Sequence, residues 1–419
     1  MSSATAPARS GSRHGGRLGS WLARFDSPVT TYYLLVCVTA ALVVFGLIMV
    51  LSASSVVSIG SGSSAYSIFL KQAGFALVGC LALVVASRLP VGAWRRLAVP
   101  VLAVALVLQV LVLLVGDTVN GNQNWLRVGP ITVQPSEMMK LGLVLTGALI
   151  LSAKRRSLHR FSHVLIPYLF PLASLGVVLV ILGHDLGTVL VLGAVVAGVL
   201  FAAGIPARWF AFAGLPFLVM AAGYVVTSPN RLGRFDVWLG RDTNEFGAAR
   251  QPIHGRYALA DGGWFGLGLG ASREKWGLLS EPHNDFIFAI IGEELGLPGT
   301  LAVLLLFAGL ALACYRLVTR TDDFFIRIAT AGIMTWVVVQ ALINIGAVIN
   351  LLPVIGVPLP LVSSGGSSLI TTMMALGVLM SFARAEPGCA DALSARPSAL
   401  KRSLAVIPSV AARSRRAGR

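Results

Sequence analysis

Acidic side chains are scarce in this chain: 17 Asp and Glu among 419 residues, against 33 Lys and Arg. Charged residues of both signs make up only 12% of the sequence and hydrophobic residues 56%. Mean hydropathy is +0.81. A soluble domain needs far more charge than this to cover its core. Cysteine is rare as well. Cys37, Cys80, Cys314 and Cys389 show no CxxC spacing, which speaks against both a disulfide framework and a cysteine metal site. The first 28 residues are polar and basic and lack an h-region followed by an A-x-A-like site, so no cleavable signal peptide is expected. No internal repeat is visible, which counts mildly against inverted-repeat transporter folds.

What the chain does have is apolar length. Runs of about 20 residues recur, the length that crosses a bilayer core. Spans are expected at 30–52, 67–87, 97–116, 136–153, 164–183, 185–205, 208–227, 283–315, 325–350 and 364–384. The expected fold class is an all-α polytopic membrane protein of about ten transmembrane helices. With the N-terminus in the cytoplasm, both termini lie inside and 23 of the 33 basic residues fall on that side, as the positive-inside pattern requires. The net charge of +16 then records topology, and no nucleic-acid partner is expected. Residues 1–28 and 385–419 read as disordered basic tails held near the anionic inner leaflet. They flank a transmembrane domain over 29–384. Two outer loops are more than connectors: 117–135, and the large extracellular loop 228–282 between helices 7 and 8.

An ionisable residue within or beside a span is a functional candidate. Asp117, Glu137, Asp185, Asp236, Asp242, Glu245, Asp261, Glu274, Glu281 and Asp285 all fall on or near the outer side, so a site is expected there. In QPSEMMK (134–140), Glu137 and Lys140 share a helix face, either as a self-satisfying ion pair or as functional groups. In HDLGT (184–188), Asp185 suits a helix cap. In SEPHNDFIFAIIGEELG (280–296), Asp285 stands where a helix begins, either as a first-turn acid or as a general base, with His283 beside it. Glu293 and Glu294 sit deeper and suit buried hydrogen bonds. In PLPLVSSGGSS (358–368), Ser363, Ser364, Gly365 and Gly366 break the helix, forming either a structural turn or an anion site built from backbone N–H groups.

These clusters, in this order, resemble the SEDS family (shape, elongation, division and sporulation) over about residues 30–384. The likeness is carried by NGNQNWLRVGPITVQPSEMMK, HDLGT, GLGLGASREKWGLLSEPHNDFIFAIIGEELG and INLLPVIGVPLPLVSSGGSS. The IGEELG ending is closer to the family's division members than to its elongation members, and the last block resembles actinobacterial ones. The resemblance implies a peptidoglycan glycosyltransferase in the cell membrane, acting at the division septum on lipid II, a disaccharide-pentapeptide on undecaprenyl pyrophosphate. It implies a class B penicillin-binding protein and other divisome proteins as partners. Asp285 matches the family's essential aspartate, as base on the acceptor 4-hydroxyl. Glu137 and Lys140 match functional positions, and Lys140 and Lys275 are expected to hold pyrophosphate. Arg127, Gln251 and His283 complete the expected substrate contacts. A divalent cation, Mg2+ or Mn2+, would assist by neutralising leaving-group charge, although the sequence shows no dedicated cage. Three departures stand out: Asn124 where relatives carry Arg, His254 and Gly255 in the Q-x-x-Q-S segment, and Ser364 where Tyr is common. A lipid II carrier, a transpeptidase-recruiting scaffold and an elongation enzyme are the competing expectations; a scaffold would tolerate Asp285→Asn.

Overall fold

The computed structural model describes residues 27–395 apart from 28, 61, 120, 121, 130, 159–164, 243, 245, 246 and 248. The expectations for most of both tails, for Arg160 and for Glu245 therefore fall outside the described residues. Residues 31–385 form one compact unit.

Three long helices come first: α1 (Thr30–Gly60), α2 (Ser67–Arg88) and α3 (Val91–Val115). The helix α1 overruns its expected end because SASSVVSIG contains no breaker before Gly60. Residues 117–133 then depart from an all-helical fold. They form a small antiparallel sheet in the order β1 (Asp117–Val119), β2 (Asn122–Val128), β3 (Ile131–Val133). Thr, Val, Ile and Trp favour strands, and Gly129, at φ 62°, turns the second hairpin. In its register, Asp117 opposes Trp125 and Val128 opposes Ile131.

Helix α4 (Pro135–Ala153) follows, with proline at its start. An irregular stretch, Leu165–Ala173, leads into α5 (Ser174–Leu182), then α6 (Leu186–Ala202) and α7 (Ala207–Val226). The large loop is not unstructured. It holds α8 (Pro229–Trp238) and α9 (Arg250–Gly262). The bundle closes with α10 (Ile287–Arg320), α11 (Phe324–Val348) and α12 (Gly366–Arg384). Among the described residues, eight helices are long and apolar enough to cross a membrane, and two shorter apolar helices, Ile166–Leu182 and Leu186–Ala202, accompany them. Taken separately, Cys389–Ala395 forms a short helix, α13, where a disordered tail was expected; its CADALSA sequence is rich in good helix formers.

The core is built on α4, α11 and α12. Protein buries 72% of the apolar window of α4, against 6% for α7, which is left facing lipid. Helix α10 breaks within the bundle at Gly296, at φ 64°. Pro298 has no N–H to give Glu294, four residues back. The loop repairs the gap: Leu267 N donates to Glu293 O at 2.9 Å and Gly268 N to Glu294 O at 3.0 Å. Helices α3 and α4 meet at Gly142, where an added Cβ would lie 2.8 Å from Leu102 Cα. Small residues permit such backbone approach between membrane helices. Gly142→Val is expected to destabilise the protein by about 1–3 kcal/mol through overpacking, seen as a lower melting temperature in detergent.

Candidate active site

Four connections meet at one end of the bundle: the sheet, the turn between α5 and α6, the large loop, and the segment 351–365 between α11 and α12. Gln123 N donates to Gly183 O at 2.9 Å, and Gln134 Nε2 to Asp185 Oδ2 at 3.2 Å. Gln134 N donates to Ser367 Oγ at 3.1 Å, which donates to Thr132 O. Asp185 caps α6, accepting from Thr188 N at 2.9 Å and Thr188 Oγ1 at 2.7 Å, and burial raises its pKa.

Asp285 sits in this end, half-buried, two residues before α10. Burial, above all, raises its pKa to about 7. The negative charges of Glu281 and Asp185 push the same way, and Arg234 on α8 opposes them. Phe286, Ile343, Asn344, Ala347, Val348 and residues 354–357 surround it. His283 is largely enclosed and its pKa is lowered by burial, which favours the neutral ring. The SSGG turn lies against this segment. Ser363 Oγ donates to Asn284 O at 2.7 Å and accepts from Leu359 N at 2.8 Å. Ser364 N donates to His283 O at 2.9 Å and Gly365 N to Gln72 Oε1 at 3.2 Å. Those two N–H groups are thus spent on protein rather than offered to an anion. Gly366 lies close to the Phe75 ring, where a side chain would not fit.

The other expected site residues are each engaged with protein partners, and Glu137 and Lys140 are near enough to act on the charge of Asp185. Lys140 is 1% exposed and Glu137 3%. Lys140 Nζ bonds Glu137 Oε1 at 2.7 Å and Gln340 Oε1 at 2.9 Å, and lies 5.0 Å from the Trp336 ring centroid. Lys275 is equally enclosed. Its Nζ bonds Glu294 Oε1 at 2.9 Å, and Ser52 Oγ donates to Glu294 Oε2 at 2.6 Å. Glu293 accepts from Ser272 Oγ and Arg273 N, both at 2.6 Å. The two lysines expected to hold pyrophosphate are therefore each buried against a glutamate. Glu293 and Glu294 bind the large loop to α10 and α1. Arg127 is exposed on β2, 3.0 Å from Asp117, and Gln251 on α9 bonds Ser280. Among the described residues, no three His, Cys, Asp or Glu side chains gather as metal ligands.

Three residues escaped the sequence analysis: Arg234, Gln340 and Asn344. Polar residues four apart inside an apolar span were the available signal for the last two. Beside Asp285 runs an apolar groove of about 500 Å³, lined by Leu186, Leu218, Phe235, Ile343 and Ile355 among others. At Leu218 it adjoins a second apolar cavity of about 620 Å³ along α7.

A half-buried carboxylate at one end of a helical membrane bundle, beside an apolar groove, marks this end as the candidate site of a polytopic membrane protein. Residues 32–387 match the profile of the cell cycle protein family FtsW/RodA/SpoVE, and the chain belongs to that family. It is 41% identical over 381 residues to the probable peptidoglycan glycosyltransferase FtsW of Mycobacterium tuberculosis, covering 90% of this chain and 72% of that one. Stage V sporulation protein E of Bacillus subtilis is 36% identical, with 84% and 96% covered. A chain from a peptidoglycan synthase complex that coordinates polymerization and crosslinking superposes with a TM-score of 0.67 at 27% identity, over 84% of this chain and 97% of that one. RodA of Thermus thermophilus superposes at 0.60 and 25% identity, over 84% and 96%. The mycobacterial FtsW accords with the division-type IGEELG ending.

Removing one member of the buried Glu137–Lys140 pair leaves an uncompensated charge. Lys140→Met is expected to cost about 3–5 kcal/mol of stability, and the double replacement Glu137→Leu with Lys140→Met to recover most of it. Thermal melts of the purified variants in detergent measure both.

Proposed function

We propose that this protein is a peptidoglycan glycosyltransferase that polymerises lipid II at the outer face of the cell membrane, with Asp285 as general base. The observation that carries this is the poise of Asp285. A carboxyl group with a pKa of about 7 is ionised at working pH yet basic enough to take a proton, the compromise a general base needs. An ordinary surface aspartate, near 3.9, is a far weaker base.

The groove beside it supplies the second half of the argument. Its walls are almost wholly apolar, and burial of a polyprenyl chain gains about 0.8 kcal/mol per CH₂. A tail seated there brings the pyrophosphate and the first sugar to the end of the bundle that carries Asp285. The sequence puts 23 of the 33 basic residues in the segments assigned to the cytoplasmic side, which supports an extracytoplasmic site and cytoplasmic termini. In the reaction, Asp285 takes the proton of the acceptor 4-hydroxyl as its oxygen attacks the anomeric carbon of the donor. The bond from that carbon to the pyrophosphate oxygen breaks, undecaprenyl pyrophosphate leaves with the electron pair, and a β-1,4 bond forms with inversion. Arg234 is an exposed cation close enough to act on Asp285; its Nη1 reaches Val354 O at 3.4 Å, and it is placed to meet the leaving pyrophosphate.

Division-type motifs and the FtsW relatives support a septal role with other divisome proteins. The likeness to a synthase-complex subunit supports a class B penicillin-binding protein as partner.

The test is polymerisation of labelled lipid II by the purified protein, with the transpeptidase partner and Mg2+ added, resolved on a gel. Wild type is expected to make glycan polymer and a folded, partner-binding Asp285→Asn none. Polymer from both would remove Asp285 from the base role, and none from either, beside an active control enzyme, would favour a lipid carrier. The same assay run against pH carries a second expectation. Because the raised pKa disfavours the carboxylate, kcat/KM rises with pH through about 7 and levels off above it. At pH 6 the rate should be about tenfold below the plateau.

A further inference from the structure

The wall of the Asp285 pocket opposite α10 is a strap, Val354–Leu359, that belongs to no helix or strand. It runs through Gly356, at φ 72°, where an added Cβ would lie 3.5 Å from Asp285 Oδ2. A segment without its own ladder is held only by what reaches it from outside. Arg234 Nη1 reaches Val354 O at 3.4 Å and Ser363 Oγ accepts from Leu359 N at the two ends, and two amides from one face of α11 hold the middle. Asn344 Nδ2 donates to Val357 O at 2.8 Å and to the main-chain carbonyl of Asp285 itself at 2.8 Å. Gln340, one turn earlier, donates from Nε2 to Pro358 O at 3.0 Å. Both partners of Asn344 are carbonyls, so its NH₂ must face them and the amide has one orientation. Gln340 is anchored in turn, its Oε1 accepting from Lys140 Nζ and from Trp336 Nε1, each at 2.9 Å. Asn344 is 2% exposed and Gln340 fully buried.

We propose that Asn344 and Gln340 are positioning residues: they clamp the 354–359 strap and the Asp285 main chain to α11, and so set the place of the Asp285 carboxylate. Rooted in the buried Glu137–Lys140 pair, the clamp ties a core ion pair to the strap beside the carboxylate through one line of hydrogen bonds. Glu137 and Lys140 thereby act on the site without touching substrate. The inference rests on Asp285 being the reactive carboxylate proposed above.

A purely structural pair of amides would affect stability and leave the behaviour of Asp285 alone; a clamp would not. The charged groups that face Asp285 are Glu281 from its own segment, Arg234 from α8 and Asp185 from the turn before α6. The strap residues 354–357 and the pocket-lining residues of α11 carry no charge. With the strap released, water reaches the carboxyl group and its pKa falls toward the ordinary aspartate value.

The test uses the full-length protein with its partner in detergent and has two readouts. One is carbodiimide labelling of Asp285 against pH, read by peptide mass spectrometry, which reports its protonation without turnover. The other is the pH profile of lipid II polymerisation. The variants are Asn344→Ala and Gln340→Glu. The second keeps an acceptor for Lys140 and Trp336 and loses the donor to Pro358; the negative charge it adds would by itself raise the Asp285 pKa, so a fall in the midpoint reports release of the strap even if the first variant fails to fold. The labelling midpoint is expected near pH 7 in wild type and at least about one pH unit lower in both variants, with kcat reduced by about 10- to 100-fold and KM little changed. Midpoints coincident with wild type in folded variants would overturn the clamp. Wild type that labels as expected but makes no polymer would instead overturn the enzymatic reading and leave the clamp standing.

Discussion

Wherever this chain leaves helical geometry at membrane depth, its freed N–H and C=O groups must find partners in protein, because hydrocarbon offers none. The organisation of the acidic end follows from that constraint. The break at Gly296 and Pro298 draws the loop at Gly263–Gly268 into the bundle, since only its N–H groups can reach the orphaned carbonyls of Glu293 and Glu294. The loop so captured brings Ser272 and Lys275 to the two glutamate side chains. What looks like a cluster of costly buried charges is a fastening for the large extracellular loop.

The same constraint shapes the segment between α11 and α12. Prolines and glycines prevent a helix there, and the strap is satisfied by Asn344, Gln340 and the Ser363 hydroxyl instead. These bonds converge on the residues around Asp285. A rigid surround is what a general base needs, since a misplacement of about 1 Å can cost roughly 100-fold in rate. Keeping the carboxyl half-buried raises its pKa, and rigidity keeps it buried. On the proposed function, the stability given up by burying an acid is tied to the chemistry it serves.

Beside the polar site the bundle is loosely filled. Helix α7 packs little against its neighbours, and apolar cavities line it from Phe210 to Val225. In a soluble protein such a surface would be a liability. In a bilayer it is already solvated by acyl chains, and a polyprenyl tail can exchange with them at little cost. On the proposed function, the tightly packed Asp285 end and the lipid-accessible flank divide the work between precise placement and free entry of substrate.

Much of this was legible in the chain alone. Hydropathy determined the ten apolar segments and the scarcity of acids pointed to one end of the bundle, because charge and apolar length are local properties that lipid enforces directly. Asp285 was legible because a carboxylate beside an apolar run is costly wherever the chain folds. The strands at 117–133 and the helices at 229–238 and 250–262 were not legible, since outside the membrane hydropathy no longer dictates structure. The Glu137–Lys140 pair was one of two readings its i,i+3 spacing allowed, but the partner of Lys275 was not legible. Lys140 and Lys275 look alike to a sequence, yet each is sealed against a glutamate, and Asn344 and Gln340 look like ordinary span residues. Which polar group meets which depends on the packing: Lys275 and Glu294 are 19 positions apart, Asn344 and Asp285 59, Lys140 and Gln340 200, and only the packed helices and the captured loop bring them together.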